Sequence, residues 1–360
     1  MTEQNQKIIF LVSLESNTGT DRVVAKLERD MKSAGLNVTL VTPQATVLGC
    51  LPVSLRRVFK NVPGKRWVAT FLIEFYLYYL SLKNTKQEMV VVTFVYPLFG
   101  IGAVINRLFR GYQYFYWIPD MIYRKSYVKD FRWSLFIWFS KIGISLSDKI
   151  LVPSASAHLD ILTFCKPKAI KKICRLDGVV DTKYLDELIP DPIDFLRDKT
   201  FIFHPAGNKP SKNTARAIEA FESLNRGDVT FVSLVNDVNS VTGTVPEKDA
   251  IGHLRLKDIS DAQMKWLYCN CTVVSVVSVE EGIGLPILEA AYFRRPLVVS
   301  LISAMPEAAS CNAVFVNPFD IREIASGYCI ALDGLTTPYH CGGVAYGRDL
   351  PNQIDSLFKN

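Results

Sequence analysis

Between Val279 and Ser300 the chain reads VEEGIGLPILEAAYFRRPLVVS, the stretch with the densest concentration of groups able to hold a ligand. A β-rich run ends, a Gly-x-Gly turn follows, and Pro286 stands where a helix would begin. Proline at that position leaves the first helical amides unspent, the glycines let backbone come close to a ligand, and the helix dipole favours negative charge there. The pattern predicts an anion site along Gly282, Ile283, Gly284 and Leu285. Glu281 precedes the turn and Glu289 lies about one turn inside the helix, so the two carboxylates bracket its start. Both can accept hydrogen bonds from hydroxyls of a ligand whose phosphates lie between them. The plainer reading is that Glu280, Glu281 and Glu289 only complement the dipole. It covers a single acid better than the whole string.

Such a site needs a scaffold, and the chain supplies one by alternating short β-rich runs with helical stripes. KIIFLVSL, NVTLVTP, MVVVTFV, YQYFYWI and KILVPS read as strands in the first half, with a helix near residues 22–34 whose stripe is Val23, Val24, Leu27, Met31 and Ala34, stopped by Gly35. TFIFHPA, DVTFVSLV, CTVVSVV, PLVVS and AVFVN repeat the rhythm after Pro190, with helices near 212–225, 286–293 and 320–331. These strands are apolar throughout instead of alternating, as in parallel sheets buried on both faces. The expected architecture is α/β, with two Rossmann-like parallel-sheet domains: 1–185, a linker at 186–199 marked by Pro190 and Pro192, 200–345, and a tail at 346–360. Open parallel sheets offer ligands the crevice at their strand carboxyl ends, so a cleft between the domains is expected.

Composition narrows the classes. With 49% hydrophobic residues the chain folds, and its 360 residues suit two domains. Residues 1–185 carry 26 Lys and Arg against 13 Asp and Glu, whereas 186–360 carry 15 against 22, so the first half is cationic and the second anionic. Eight cysteines without a C-x-x-C fit a reduced, cytoplasmic setting, and the start MTEQNQKIIF lacks a signal-peptide pattern. The apolar stretches Trp67–Leu82, Met89–Ile105 and Trp133–Leu146 are broken or short for a membrane span. Scattered histidines and the absence of Asp-x-Asp argue against a metal site, and no nucleic-acid-binding motif accompanies the cations. FGIGAVI begins like a dinucleotide fingerprint but has Ile105 where its third glycine belongs. In LRRVFKNVPGKRWV, cations interleave with apolar side chains; contact with an anionic membrane and a solvated loop are both compatible readings. Lys166, Lys168, Lys171 and Lys172 form a second basic cluster.

The string EGIGLPILEA resembles the donor-site signature of glycosyltransferase family 4, the retaining GT-B enzymes. The resemblance continues through PLVVSLISAMPEAASCNAVFVNPFD, with its Pro306-Glu307 pair, and through FHPAGNKPSKNTARAIEAF, ILVPSASAHLDI, LDGVVDTKYL and SNTGTDRVVAKLERDMKSAGLNVTLVTP. It implies a metal-independent hexosyltransferase without a resident cofactor, moving sugar from a nucleotide-diphospho-sugar to a saccharide or lipid-linked saccharide in cell-surface polysaccharide or glycolipid synthesis. Carried over by position, Glu281 contacts the donor sugar, Gly282 to Leu285 line sugar and phosphates, Glu289 holds the ribose, and Lys212 neutralises the diphosphate. A departing diphosphate needs such a fixed cation and backbone dipoles.

Three departures qualify the likeness. Asn208 stands where Gly-Arg is commoner; GNKPSKN instead resembles mannosyltransferase-like branches, which makes GDP-mannose the first donor to consider. Pro119-Asp120 replaces a His-Asp common near the reacting sugar, so Asp120 alone is carried over there, with Lys212 and Glu281, as a catalytic candidate. Gly19 stands singly between Thr18 and Thr20 in the glycine loop, where ligand contact and plain helix capping by Thr20 or Asp21 both fit. The resulting expectation is a cytoplasmic transferase, peripheral on the inner face of the plasma membrane. The competing expectation is a nucleotide-sugar-binding subunit without turnover.

Overall fold

The computed structural model describes residues 7–13, 19–42, 88–94, 112–120, 131–164, 170–235, 247–248, 252–309, 313–335 and 349–359, with helical positions 73, 76, 77, 79 and 82. The chain divides into two compact units, Met1–Gly178 with Arg348–Asn360, and Val179–Gly347. The basic stretch at 55–68, FGIGAVI, Thr18, Lys166, Lys168 and the segment YHCGGVAYG lie outside the described residues.

In the first unit, strands β1 (Ile8–Val12), β2 (Asn37–Val41), β3 (Met89–Phe94), β4 (Gln113–Trp117), β5 (Lys149–Val152) and β6 (Ile173–Arg175) form one parallel sheet in the order β2-β1-β3-β4-β5-β6. Every residue of β3 is buried, the two-faced coverage that its unbroken apolar run implies. Helix α1 (Gly19–Ser33) buries Val23, Val24, Leu27 and Met31. It stops at Gly35, whose φ of 81° is glycine's territory, with the Leu36 amide closing back on the Met31 carbonyl at 3.0 Å. Helices α2 (Phe131–Leu146) and α3 (Ala155–Phe164) follow β4 and β5. Among the described residues, no helix is long and apolar enough to cross a membrane.

The second unit opens with α4 (Thr182–Glu187) and continues β7 (Thr200–His204), α5 (Thr214–Ser223), β8 (Val229–Val235), β9 (Glu247–Lys248), β10 (His253–Lys257), α6 (Asp261–Asn270), β11 (Val273–Val276), α7 (Leu285–Tyr292), β12 (Leu297–Ser300), α8 (Met305–Ala309), β13 (Val314–Val316) and α9 (Ile321–Leu332). Its sheet order is β13-β12-β11-β7-β8-β10-β9, parallel except for β9. From β7 the sheet grows one way through β8 and β10, and from β11 the other way through β12 and β13. Strand order thus reverses between β7 and β11, the kind of position at which open α/β sheets take their ligands. Ile202, Phe231, Val273, Val298 and Tyr328 centre the core beneath.

The unit boundary falls at Gly178 instead of 185, and the expected linker belongs to the second unit. The physical reason is a set of tethers invisible to local pattern. Lys265 Nζ donates to the carbonyls of Leu185 at 2.6 Å and Leu188 at 2.8 Å, filling the open end of α4. The Asp191 amide bonds the Ala262 carbonyl at 3.2 Å, and Leu196 is fully buried. The last residues are likewise no loose tail. Short helix α10 (Leu350–Ile354) places Gln353 Oε1 2.9 Å from the Asp177 amide that it accepts from, and Phe358 is buried against Phe115 at 5.7 Å between ring centroids.

Candidate functional site

The reversal point of the second sheet gathers most of the residues singled out by sequence. The loop after β7 carries Asn208 and Lys212; the loop after β11 carries Glu281, Gly282 and Ile283 and runs through Gly284 into α7. A backbone bond from the Val279 amide to the Ser211 carbonyl, 2.8 Å, joins the two loops directly. Lys212 sits at the end of a single 3-10 turn, Pro210–Lys212, and its Nζ donates to Glu281 Oε1 at 2.6 Å. The Ser278 hydroxyl donates to the same oxygen at 2.8 Å. Ser303 fixes the backbone of Glu281, donating to its carbonyl at 2.8 Å. A carboxylate only 9% exposed is thereby held by a cation and a hydroxyl, as burial of charge requires.

Gly284 caps α7 with φ at 77°, and no side chain caps that helix start. A Cβ on Gly284 would lie 3.0 Å from Ile287 Cδ1 and 3.4 Å from Ala308 Cβ, so both the backbone conformation and the packing select glycine. Pro286 occupies the first turn as its position predicts. Glu289, 8% exposed, faces inward from the second turn, where the Tyr268 hydroxyl donates to Oε2 at 2.7 Å. Asn208 is exposed on the neighbouring loop.

Two buried residues that the sequence reading passed over hold this arrangement. Asn213, with φ at 58°, donates from Nδ2 to the carbonyls of Val277 at 3.0 Å and Pro318 at 2.7 Å, clamping the loops after β7, β11 and β13 together. Asparagine tolerates the left-handed region better than most residues, so the Asn directly before a helical stripe was the available signal. His204, fully buried at the end of β7, lies 3.0 Å from the Ser275 carbonyl through Nδ1 and 3.2 Å from Thr214 Oγ1 through Nε2. Thr214 in turn donates to the Gly207 carbonyl at 2.8 Å. Burial, first, pulls the His204 pKa down to about 4; the Ser275 carbonyl opposes this, and Lys212 and His253 add to it. The ring is therefore neutral at pH 7.

Gly19 and Asp120 belong to the first unit. Gly19 is the first residue of α1, past the end of β1, and Asp120 lies half-buried beyond β4. Among the described residues, no group of three or more His, Cys, Asp or Glu is placed to hold a metal ion.

No family model and no curated protein matches the chain. Solved structures do. A glycosyltransferase from Rickettsia africae superposes with a TM-score of 0.64 at 13% identity, covering 99% of this chain and 95% of that one. A sucrose-phosphate synthase from Thermosynechococcus elongatus gives 0.62 at 15%, covering 98% and 95%. A UDP-forming α,α-trehalose-phosphate synthase from Burkholderia vietnamiensis gives 0.60 at 13%, covering 98% and 96%. The fold is GT-B. Within a GT-B chain the second sheet's reversal point is the natural ligand crevice, and here it holds Lys212, Glu281 and the uncapped start of α7.

Proposed function

We propose that the protein is a retaining glycosyltransferase of the family 4 type, mannosyltransferase-like, that takes a hexose from a nucleotide-diphospho-sugar held by the second unit. The observation that carries this reading is the meeting of Lys212 with Glu281, 2.6 Å apart, at the sheet reversal point that also holds the uncapped helix start at Gly284. Backbone amides along Gly282 to Leu285 and the Lys212 ammonium offset the charge of the departing diphosphate as the sugar C1–O bond breaks. Glu281 receives donor-sugar hydroxyls and Glu289 the ribose. The acceptor hydroxyl attacks C1 on the face the diphosphate leaves, and its proton passes to a leaving-group oxygen. Retention has support from a fold neighbour, trehalose-6-phosphate synthase, described as transferring with retention. Asp120 is assigned a place near the reacting sugar, and Gly19 a backbone contact to the nucleotide sugar. The acceptor is a saccharide or lipid-linked saccharide, approached from an anionic membrane by the cationic first half of the chain.

GDP leads as donor nucleotide on the likeness of GNKPSKN, and UDP stands beside it because the Burkholderia neighbour is UDP-forming. The test is a thermal-shift comparison of GDP, UDP and dTDP followed by donor hydrolysis and transfer assays with lipid extract. A ligand that binds only folded protein raises the melting temperature. Binding with neither hydrolysis nor transfer replaces the enzyme with a nucleotide-sugar-binding subunit; no shift with any nucleotide removes both readings.

A further inference from the structure

Glu289 is placed by a partner far from it in sequence. Tyr268, on α6 and 1% exposed, points its hydroxyl at Glu289 Oε2, 2.7 Å away. Its ring stacks on Phe293 with centroids 5.6 Å apart and planes 15° from parallel, and meets Phe203 edge-on at 5.2 Å. Phe293 directly follows α7, and its amide donates to the backbone carbonyl of Glu289 at 3.0 Å. One aromatic pair thus secures Glu289 twice, through its main chain and through one carboxylate oxygen. α6 is itself anchored by a reciprocal cap between Ser260 and Gln263, so the tyrosine stands on a fixed element. A buried phenol in an aromatic setting needs an acceptor, and a buried carboxylate needs donors; each answers the other.

We infer that Tyr268 is a positioning residue that orients Glu289 toward a pair of vicinal hydroxyls and so sets a preference for ribose over 2′-deoxyribose in the bound nucleotide. The inference rests on the proposed role of Glu289 at the ribose. A carboxylate free to rotate can satisfy one hydroxyl as well as two, whereas one pinned through Oε2 presents a fixed acceptor direction. A ligand missing one of the two donors then leaves that acceptor underpaired, and sites built for a hydroxyl discriminate strongly against its absence.

The experiment is calorimetric titration of UDP against dUDP and GDP against dGDP on wild type, Tyr268→Phe and Glu289→Gln. Phenylalanine keeps the ring packing and deletes only the hydroxyl. The expected result is a wild-type preference for the ribonucleotide, a loss of roughly tenfold in ribonucleotide affinity for Tyr268→Phe, equivalent to about 1.4 kcal/mol, and little change for the 2′-deoxy form. An equal loss for both sugars, or none for either, while Glu289→Gln still abolishes the preference, overturns the inference and leaves the role of Glu289 standing. If wild type binds ribo- and deoxynucleotides alike, or Glu289→Gln leaves their ratio unchanged, the ribose role itself falls and the inference with it. Absence of any binding to wild type ends the functional reading first.

Discussion

Lys212→Met keeps the aliphatic stem and deletes the charge, which isolates the ion pair from the packing around it. The Glu281 side chain is 10% exposed and that of Lys212 27%. The pair therefore falls between an exposed bridge, worth up to about 1 kcal/mol, and a buried one, whose disruption costs about 3–5 kcal/mol. Ser278 continues to donate to Glu281 Oε1 at 2.8 Å and softens the loss. A destabilisation of about 2 kcal/mol is expected, which for a unit of about 170 residues lowers the melting temperature by about 4–8 °C. No local pattern announces this contribution to stability, because the partner of Lys212 lies 69 residues away. Glu281→Gln removes the orphaned charge, so the double variant should recover most of the stability, with a coupling energy of about 2 kcal/mol. Donor turnover, in contrast, should stay down by about 10²–10³ in both Lys212 variants, since the leaving diphosphate still lacks its cation. Urea titration of the four-member cycle, with donor hydrolysis on each member, measures both quantities. Coupling below about 0.5 kcal/mol means the pair does not form in solution. Recovery of turnover in the double variant refutes the leaving-group role.

Three further outcomes follow from buried polar groups. His204 is lowered to about 4 by burial, so between that value and the ordinary 6.5 the unfolded chain binds the extra proton and stability falls as pH drops through this window, by roughly 3 kcal/mol once below both values. Urea unfolding at pH 4.5 and 7 should show a smaller difference for His204→Gln than for wild type, and equal differences would dismiss the assignment. Asn213→Ala strands the Val277 and Pro318 carbonyls and puts alanine at a φ of 58°; a loss of about 3 kcal/mol is expected, with Asn213→Gly losing less because the backbone strain is absent. Cys271 is fully buried, with its thiol pushed up to about 12 by burial, so it should resist thiol reagents at pH 8 until the protein is unfolded, whereas half-buried Cys269 reacts earlier.

Where sequence was legible, the cause was local. The central strands of both sheets stood out because two-faced burial makes them apolar throughout, and β3 and β11 are buried at every residue. The start of α7 was legible because Gly284 and Pro286 each answer a backbone requirement that few other residues meet. Strand β10 escaped notice because Arg255 and Lys257 alternate with Leu254 and Leu256, breaking the apolar run. Helix α6 was missed as well, the available signal being Ser260 followed three residues later by Gln263. The unit boundary and the C-terminal segment were hidden for another reason. Lys265 reaches Leu185 and Gln353 reaches Asp177 across long stretches of chain, and no local periodicity encodes such contacts. Glu281 and Glu289 were found by their spacing, but their partners Lys212 and Tyr268 come from other elements.

Those partners differ in kind, and the difference has a consequence for how the site works. Glu289 accepts from a neutral hydroxyl, for which an entering anion does not compete as it does for an ammonium. Glu281 accepts from a cation, which on the proposed reading it must share with an entering phosphate. On the proposed reading, a diphosphate that draws Lys212 toward itself withdraws a donor from a carboxylate too deeply buried to be rescued by bulk water. Sugar hydroxyls adjacent to the phosphate can replace that donor. Phosphate and sugar recognition then cease to be two separate contacts and become one exchange around Lys212, in which the anion is fully accommodated only when the hexose arrives with it. Such an arrangement favours the intact donor over the spent diphosphate, the direction that turnover requires.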